Sequence, residues 1–176
     1  MRNFFNLLIF ALLIVSCKSN ETLDSKTALE LIQKGKEYPK VVDYEIYTAD
    51  PQEAKRMLDL GSEKSGMLKV QLTQASKDIG EPFITFTDKA SLYLLPQTAD
   101  DKGSKVQRVK VAEEVVNAVT NIDIQEDGKS AVVTYEISFK NLTPFSELSR
   151  MKLDRTRSLK ANLIFDDKEW SLVHAL

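Results

Sequence analysis

The single cysteine, Cys17, stands directly behind an apolar run, Phe4 to Val15, that only Asn6 interrupts. This placement limits what the chain can fold into. Arg2 supplies a short positive segment ahead of the run, and Ser16 a small residue just before the cysteine, which is the order of an export leader. About a dozen residues fall short of the roughly 20 that a membrane-spanning helix needs, so residues 1–16 are expected to be removed and to take no part in the fold. Without the first 16 of 176 residues, 160 remain, with no cysteine beyond Cys17. No intramolecular disulfide is then available, no thiol nucleophile or cysteine metal site exists once Cys17 is modified, and stability has to come from an apolar core. A chain of this length can build one unaided.

Ile14-Val15-Ser16-Cys17 resembles the lipobox of bacterial lipoproteins: an aliphatic residue, a permissive one, a small one, then cysteine. The resemblance implies that the Cys17 sulfur receives a diacylglycerol, that the leader is cleaved before it, and that the new amino terminus is acylated as well, palmitate being the usual kind of chain. One chain gives marginal membrane binding and two or three give stable anchoring, since each buried methylene adds about 0.8 kcal/mol. Residues 17–24, with Lys18-Ser19-Asn20-Glu21 at their start, read as a lipidated tether. Under the best-known sorting pattern of such proteins, Ser19 implies the outer membrane, on its periplasmic or surface face.

The leader carries one charge, Arg2, so the mature chain has 23 basic against 26 acidic residues, a formal −3. That balance gives no reason to expect a nucleic acid partner.

The elements follow from local signals. Thr27 with Glu30 reads as a capping box opening a helix with Ala28, Leu31 and Ile32 inward, ended by Gly35 and Pro39. Val41 to Tyr47 alternates as a strand. Asp50-Pro51 with Glu53 is the clearest helix start in the chain. Leu68 to Thr73 and Pro82 to Phe86 form an expected hairpin, and Thr87-Asp88 caps a short helix that Pro96 ends. The polar stretch Gln97 to Lys105 reads as a linker. Beyond it the pattern is β: Val106 to Val111, Val115 to Ile124, a turn at Asp127-Gly128, and a strand in which Ala131, Val133, Tyr135, Ile137 and Phe139 alternate with polar positions. Leu159 to Phe165 and Trp170 to His174 close the set around a tight turn at Asp166 to Glu169.

The expected fold class is α+β: a small helix-strand lobe at 25–96, a linker at 97–105, and an antiparallel β-meander at 106–176. A curved sheet ending in a turn and a tryptophan is similar to cystatin-like and NTF2-like domains, a resemblance of pattern that implies no residue chemistry.

Catalytic candidates are few. His174 is the lone histidine, near the terminus, where a structural role outweighs a catalytic one. The acid doublets Asp100-Asp101, Glu113-Glu114 and Asp166-Asp167 fall in turns or on opposite strand faces. No phosphate-binding glycine loop, nucleophile elbow or calcium loop is present, and neither cofactor nor metal is expected.

Two features stand above this background. From Arg150 to Lys160 five cations, Arg150, Lys152, Arg155, Arg157 and Lys160, face one acid, Asp154. They form a candidate surface for anionic headgroups, cell-wall polymer or an acidic envelope protein, against the alternative of a solvated strand face. Phe145, after Thr143-Pro144, is either an exposed anchor for a partner or a lid folded on the sheet edge. The expected function is a membrane-anchored, non-catalytic binding or scaffold module. The rival is an enzyme or a small-ligand carrier with a pocket lined by Tyr135, Phe165 and Trp170.

Overall fold

The structure, a computed structural model, describes residues 22–173. Helix α1 (Ser25–Gly35) starts two residues before Thr27, because the Asp24 carboxylate accepts a hydrogen bond from the Thr27 amide at 2.7 Å and so takes the cap position. Ala28 and Ile32 are fully buried, with Leu29 and Leu31 packed beside them. Strand β1 (Lys40–Tyr47) follows a cis Tyr38-Pro39 bond. Helix α2 (Pro51–Asp59) begins as expected, Asp50 accepting from the Gln52 amide at 2.8 Å, and buries Ala54 and Met57.

A small hairpin, β2 (Leu68–Val70) with β3 (Ile84–Phe86), and a 3₁₀ turn at Asp88–Tyr93 lead to residues 97–105. There, α3 (Ala99–Gly103) is closed by a capping box in which Thr98 and Asp101 satisfy each other's amides. The chain continues into β4 (Val106–Ile124), β5 (Ser130–Lys140), β6 (Arg157–Asp166) and β7 (Glu169–Leu172).

The fold is α+β, and β4 to β7 form an antiparallel meander. The sheet order is β1-β4-β5-β6-β7. Strand β1, which lies before residues 97–105, is therefore hydrogen-bonded to β4, which lies after them.

Strand β4 is one continuous element where the sequence suggests two. Its register shifts three times, leaving Val111, Asn117 and Thr120 without direct cross-strand partners. Each shift re-aims the following side chains. Val116, Val119 and Ile122, spaced by three, thus stand opposite Ile137, Tyr135 and Val133 of β5 and cover one core face. A strict period of two would have scattered them.

Two apolar clusters lie along the sheet. In the first, α1 packs Ala28 and Ile32 against Val116, Tyr135, Ile137, Leu163 and Trp170. In the second, Met57, Leu68, Ile84, Phe145 and Leu148 pack against Ile46, Val109 and Val111. Val42 touches both. The opposite face of the sheet is polar: Arg108 pairs with Asp43 at 2.6 Å, Lys110 with Glu113, and Ser138 bonds Asn117 at 2.8 Å.

The β4–β5 and β6–β7 turns have different chemistry. After β4, Gly128 takes φ +63° while Asp127 caps the amides of Lys129 and Ser130. Between β6 and β7, Asp167 and Lys168 both adopt positive φ, +46° and +75°, the two-residue turn that matches strand twist.

Candidate functional site

The segment between β5 and β6 is clamped before it reaches the basic residues. Thr143 donates its amide to Val111 O at 3.0 Å and its hydroxyl to Lys110 O at 2.6 Å, tying the chain to β4. The same hydroxyl accepts the Phe145 amide at 3.1 Å, turning Phe145 inward. Phe145 is 1% exposed. Its ring meets Phe86 and Tyr93 edge-on, with centroids 6.3 and 6.2 Å away. It is therefore a core residue, and the expectation of an exposed partner anchor is corrected: three apolar elements, β3, the Asp88–Tyr93 turn and β4, converge to bury it.

Beyond a 3₁₀ turn at Ser146–Leu148, the chain runs over the surface to β6. Leu148 is buried and its carbonyl accepts a hydrogen bond from Arg56 at 3.1 Å. Leu153, half-buried, packs on the first cluster, so the chain is held just before the basic segment and again within it.

The five cations do not form one patch. Lys152, Arg155 and Arg157, with Met151 and Thr156, line an open hollow of about 450 Å³. Lys160 stands opposite Thr134 on the polar face of the sheet. Arg157 and Lys160 lie three residues apart in one strand and so project to opposite faces. Arg150 lies toward α2, close enough to act electrostatically on Tyr44. All five are exposed, and among the described residues no acid lies within ion-pair distance of any of them.

Near Arg150, α2 and β1 share a polar cluster. The Arg56 guanidinium donates to the Tyr44 hydroxyl and stacks 5.0 Å from its ring, and Tyr44 donates to Glu53 Oε1 at 3.2 Å. Burial, with the Glu53 charge next, raises the Tyr44 phenol above its ordinary value. Glu53 Oε2 is buried without a hydrogen-bond partner among the described residues.

The other titratable candidates have structural places. Glu113 and Glu114 project to opposite faces, Glu113 to Lys110 and Asn141, and Glu114 toward Tyr38. Burial first, then Tyr135 and Glu114, push the Tyr38 phenol far up. Asp101 belongs to the capping box, and Asp166 accepts the Asp167 amide at 2.9 Å within the turn. His174 and Cys17 lie outside the described residues. Among those described, no three His, Cys, Asp or Glu side chains are grouped to hold a metal.

The residues expected to line a carrier pocket are packed. Tyr135 and Trp170 are buried in the first cluster, and the Phe165 and Trp170 rings sit 5.4 Å apart. A second hollow, of about 200 Å³, lies between Leu60, Gly61, Ser62, Ser65, Pro144, Glu147 and Leu148, away from those aromatic residues. No family model, curated protein or solved structure matches this chain.

Proposed function

We propose that the protein is a lipid-anchored cell-envelope lipoprotein, held through Cys17 in the outer membrane, that works as a non-catalytic binding module presenting Lys152, Arg155 and Arg157 to an anionic partner in the envelope, protein or polymer. The observation that carries the binding part is the hollow at 151–157. Three cations line it with no acid within ion-pair distance among the described residues, on a segment clamped by Thr143, Leu148 and Leu153. Exposed cations left uncompensated repel one another, and a partner of opposite charge removes that cost. Support for the anchor is the Ile14-Val15-Ser16-Cys17 sequence. Nothing among the described residues favours the carrier alternative, since Tyr135 and Trp170 pack on α1.

The test has two independent parts. Full-chain protein should incorporate labelled fatty acid and fractionate with membranes, and Cys17→Ser should do neither; labelling that survives the substitution would end the anchor reading. Affinity capture from solubilised envelope should retain an anionic component that a Lys152→Glu, Arg155→Glu, Arg157→Glu variant releases. Identical capture by both forms would end the binding reading.

A further inference from the structure

We infer that the hollow at 151–157 takes a phosphate group carried on an acyl chain, the chemistry of an acidic phospholipid. This rests on the cationic segment being a binding surface and names the ligand class it fits. Lys152 offers three N–H donors, and Arg155 and Arg157 offer planar forks that match phosphate oxygens in pairs. Among the described residues none of these donors is engaged by the protein, and the Thr156 hydroxyl is likewise free to donate.

Charge alone would suit any anion, but the wall of the hollow narrows the choice. Met151 is 44% exposed at its rim. The stems of Lys152, Arg155 and Arg157 add methylene surface, so cationic heads surround a largely apolar wall. An inorganic anion leaves that wall wet. An amphiphile satisfies both parts. At about 450 Å³ the hollow lies within the roughly 300–1,000 Å³ typical of small-molecule sites and exceeds what a free phosphate fills. Arg157 is the first residue of β6, opposite Ile137, and Leu153 packs on the first cluster, so the backbone that carries the donors is fixed at these two points.

The experiment is calorimetric titration of the detergent-solubilised full chain with three probes: dihexanoyl phosphatidic acid, dihexanoyl phosphatidylcholine and inorganic phosphate. The acidic lipid should bind at least tenfold more tightly than either control. Its affinity should fall when salt rises from 0.01 to 0.15 M, over which the Debye length shrinks from about 30 to about 8 Å. The double variant Arg155→Gln, Arg157→Gln should bind it at least tenfold more weakly at an unchanged urea midpoint, because both side chains are exposed. Equal binding of phosphatidylcholine would reduce the site to an apolar surface, and equal binding of phosphate to a simple anion site; either overturns the inference. So does an absence of binding, or a double variant that binds like the parent. If envelope capture succeeds through the same cations while the acidic lipid fails, the binding module stands and the lipid assignment falls.

Discussion

Replacing Phe145 with alanine tests the packing that carries the basic segment. The side chain is 1% exposed and meets two aromatic rings edge-on. A buried aromatic ring removes about 150–250 Å² from water, worth about 4–6 kcal/mol at ~25 cal/mol/Å². Alanine keeps only the Cβ part, and core Phe→Ala changes cost about 3–5 kcal/mol. The expected loss is about 4 kcal/mol, a large share of the roughly 5–15 kcal/mol a domain possesses. With a urea slope of about 2 kcal/mol/M, the midpoint followed by far-ultraviolet circular dichroism should fall by about 2 M. Phe145→Leu retains most of the volume and loses only the two edge contacts, at about 0.5–1.5 kcal/mol each. It should therefore cost about 1–3 kcal/mol, less than the alanine change. An alanine variant that loses under about 1 kcal/mol, the range of surface changes, would place Phe145 outside the core and refute the account of the clamped segment.

Three further expectations follow from geometry. An alanine Cβ at position 35 would lie 2.6 Å from Leu172 Cδ2 and 3.2 Å from its Cβ. Gly35→Ala should thus destabilise by about 1–2 kcal/mol despite alanine's better helix propensity, and Leu172→Ala in the same chain should absorb part of that loss in a double-mutant urea cycle. Lys168, at φ +75° in the β6–β7 turn, is strained by about 1 kcal/mol, so Lys168→Gly should raise the melting temperature. Asp24, Asp101, Glu113 and Asp127 have carboxyl groups held below their ordinary values, mainly by the amides of Thr27, Thr98 and Lys129 and, for Glu113, by Lys110. A depressed folded value means the unfolded chain binds protons first as pH falls. Stability should be fully present at neutral pH and decline below about pH 4, and Asp127→Asn should flatten that decline in urea titrations at pH 3 and 5.

Much of the fold is legible where one local signal decides the structure. Asp50-Pro51 opens α2, the alternation from Ala131 to Phe139 sets the buried face of β5, and Asp166 to Glu169 closes a hairpin. Legibility fails where a distant partner decides. It fails also where two local signals compete: the start of α1 passes from Thr27 to Asp24, three residues apart, because either side chain could cap and only one hydrogen bond forms. Strand β4 looks like two strands because its register shifts change the spacing of its apolar residues, and those shifts answer to β1 and β5 rather than to the sequence of β4 itself. The place of β1 beside β4 brings Lys40 to Glu114 across the whole insertion between them, a pairing that no window of sequence contains. At the candidate site the cluster of cations was visible, and strand parity alone could have separated Arg157 from Lys160. Burial of Phe145 was one of two readings of Thr143-Pro144-Phe145, the folded-back one, but its neighbours Pro144 and Ser146 give no periodicity to show which elements would cover it.

Strand β4 belongs to both apolar clusters, with the changeover between adjacent residues: Val111 faces the second and Ala112 the first. The two clusters therefore cannot melt separately. Loss of either removes packing from the same strand on which the other is built, and the molecule should unfold in one concerted step. Trp170, the lone tryptophan, sits in the first cluster, and Phe145 in the second. Damage introduced at Phe145 should be reported by the fluorescence of Trp170 at the same urea concentration as by the loss of secondary structure, so that the strand transmits the stability of one half of the molecule to the other.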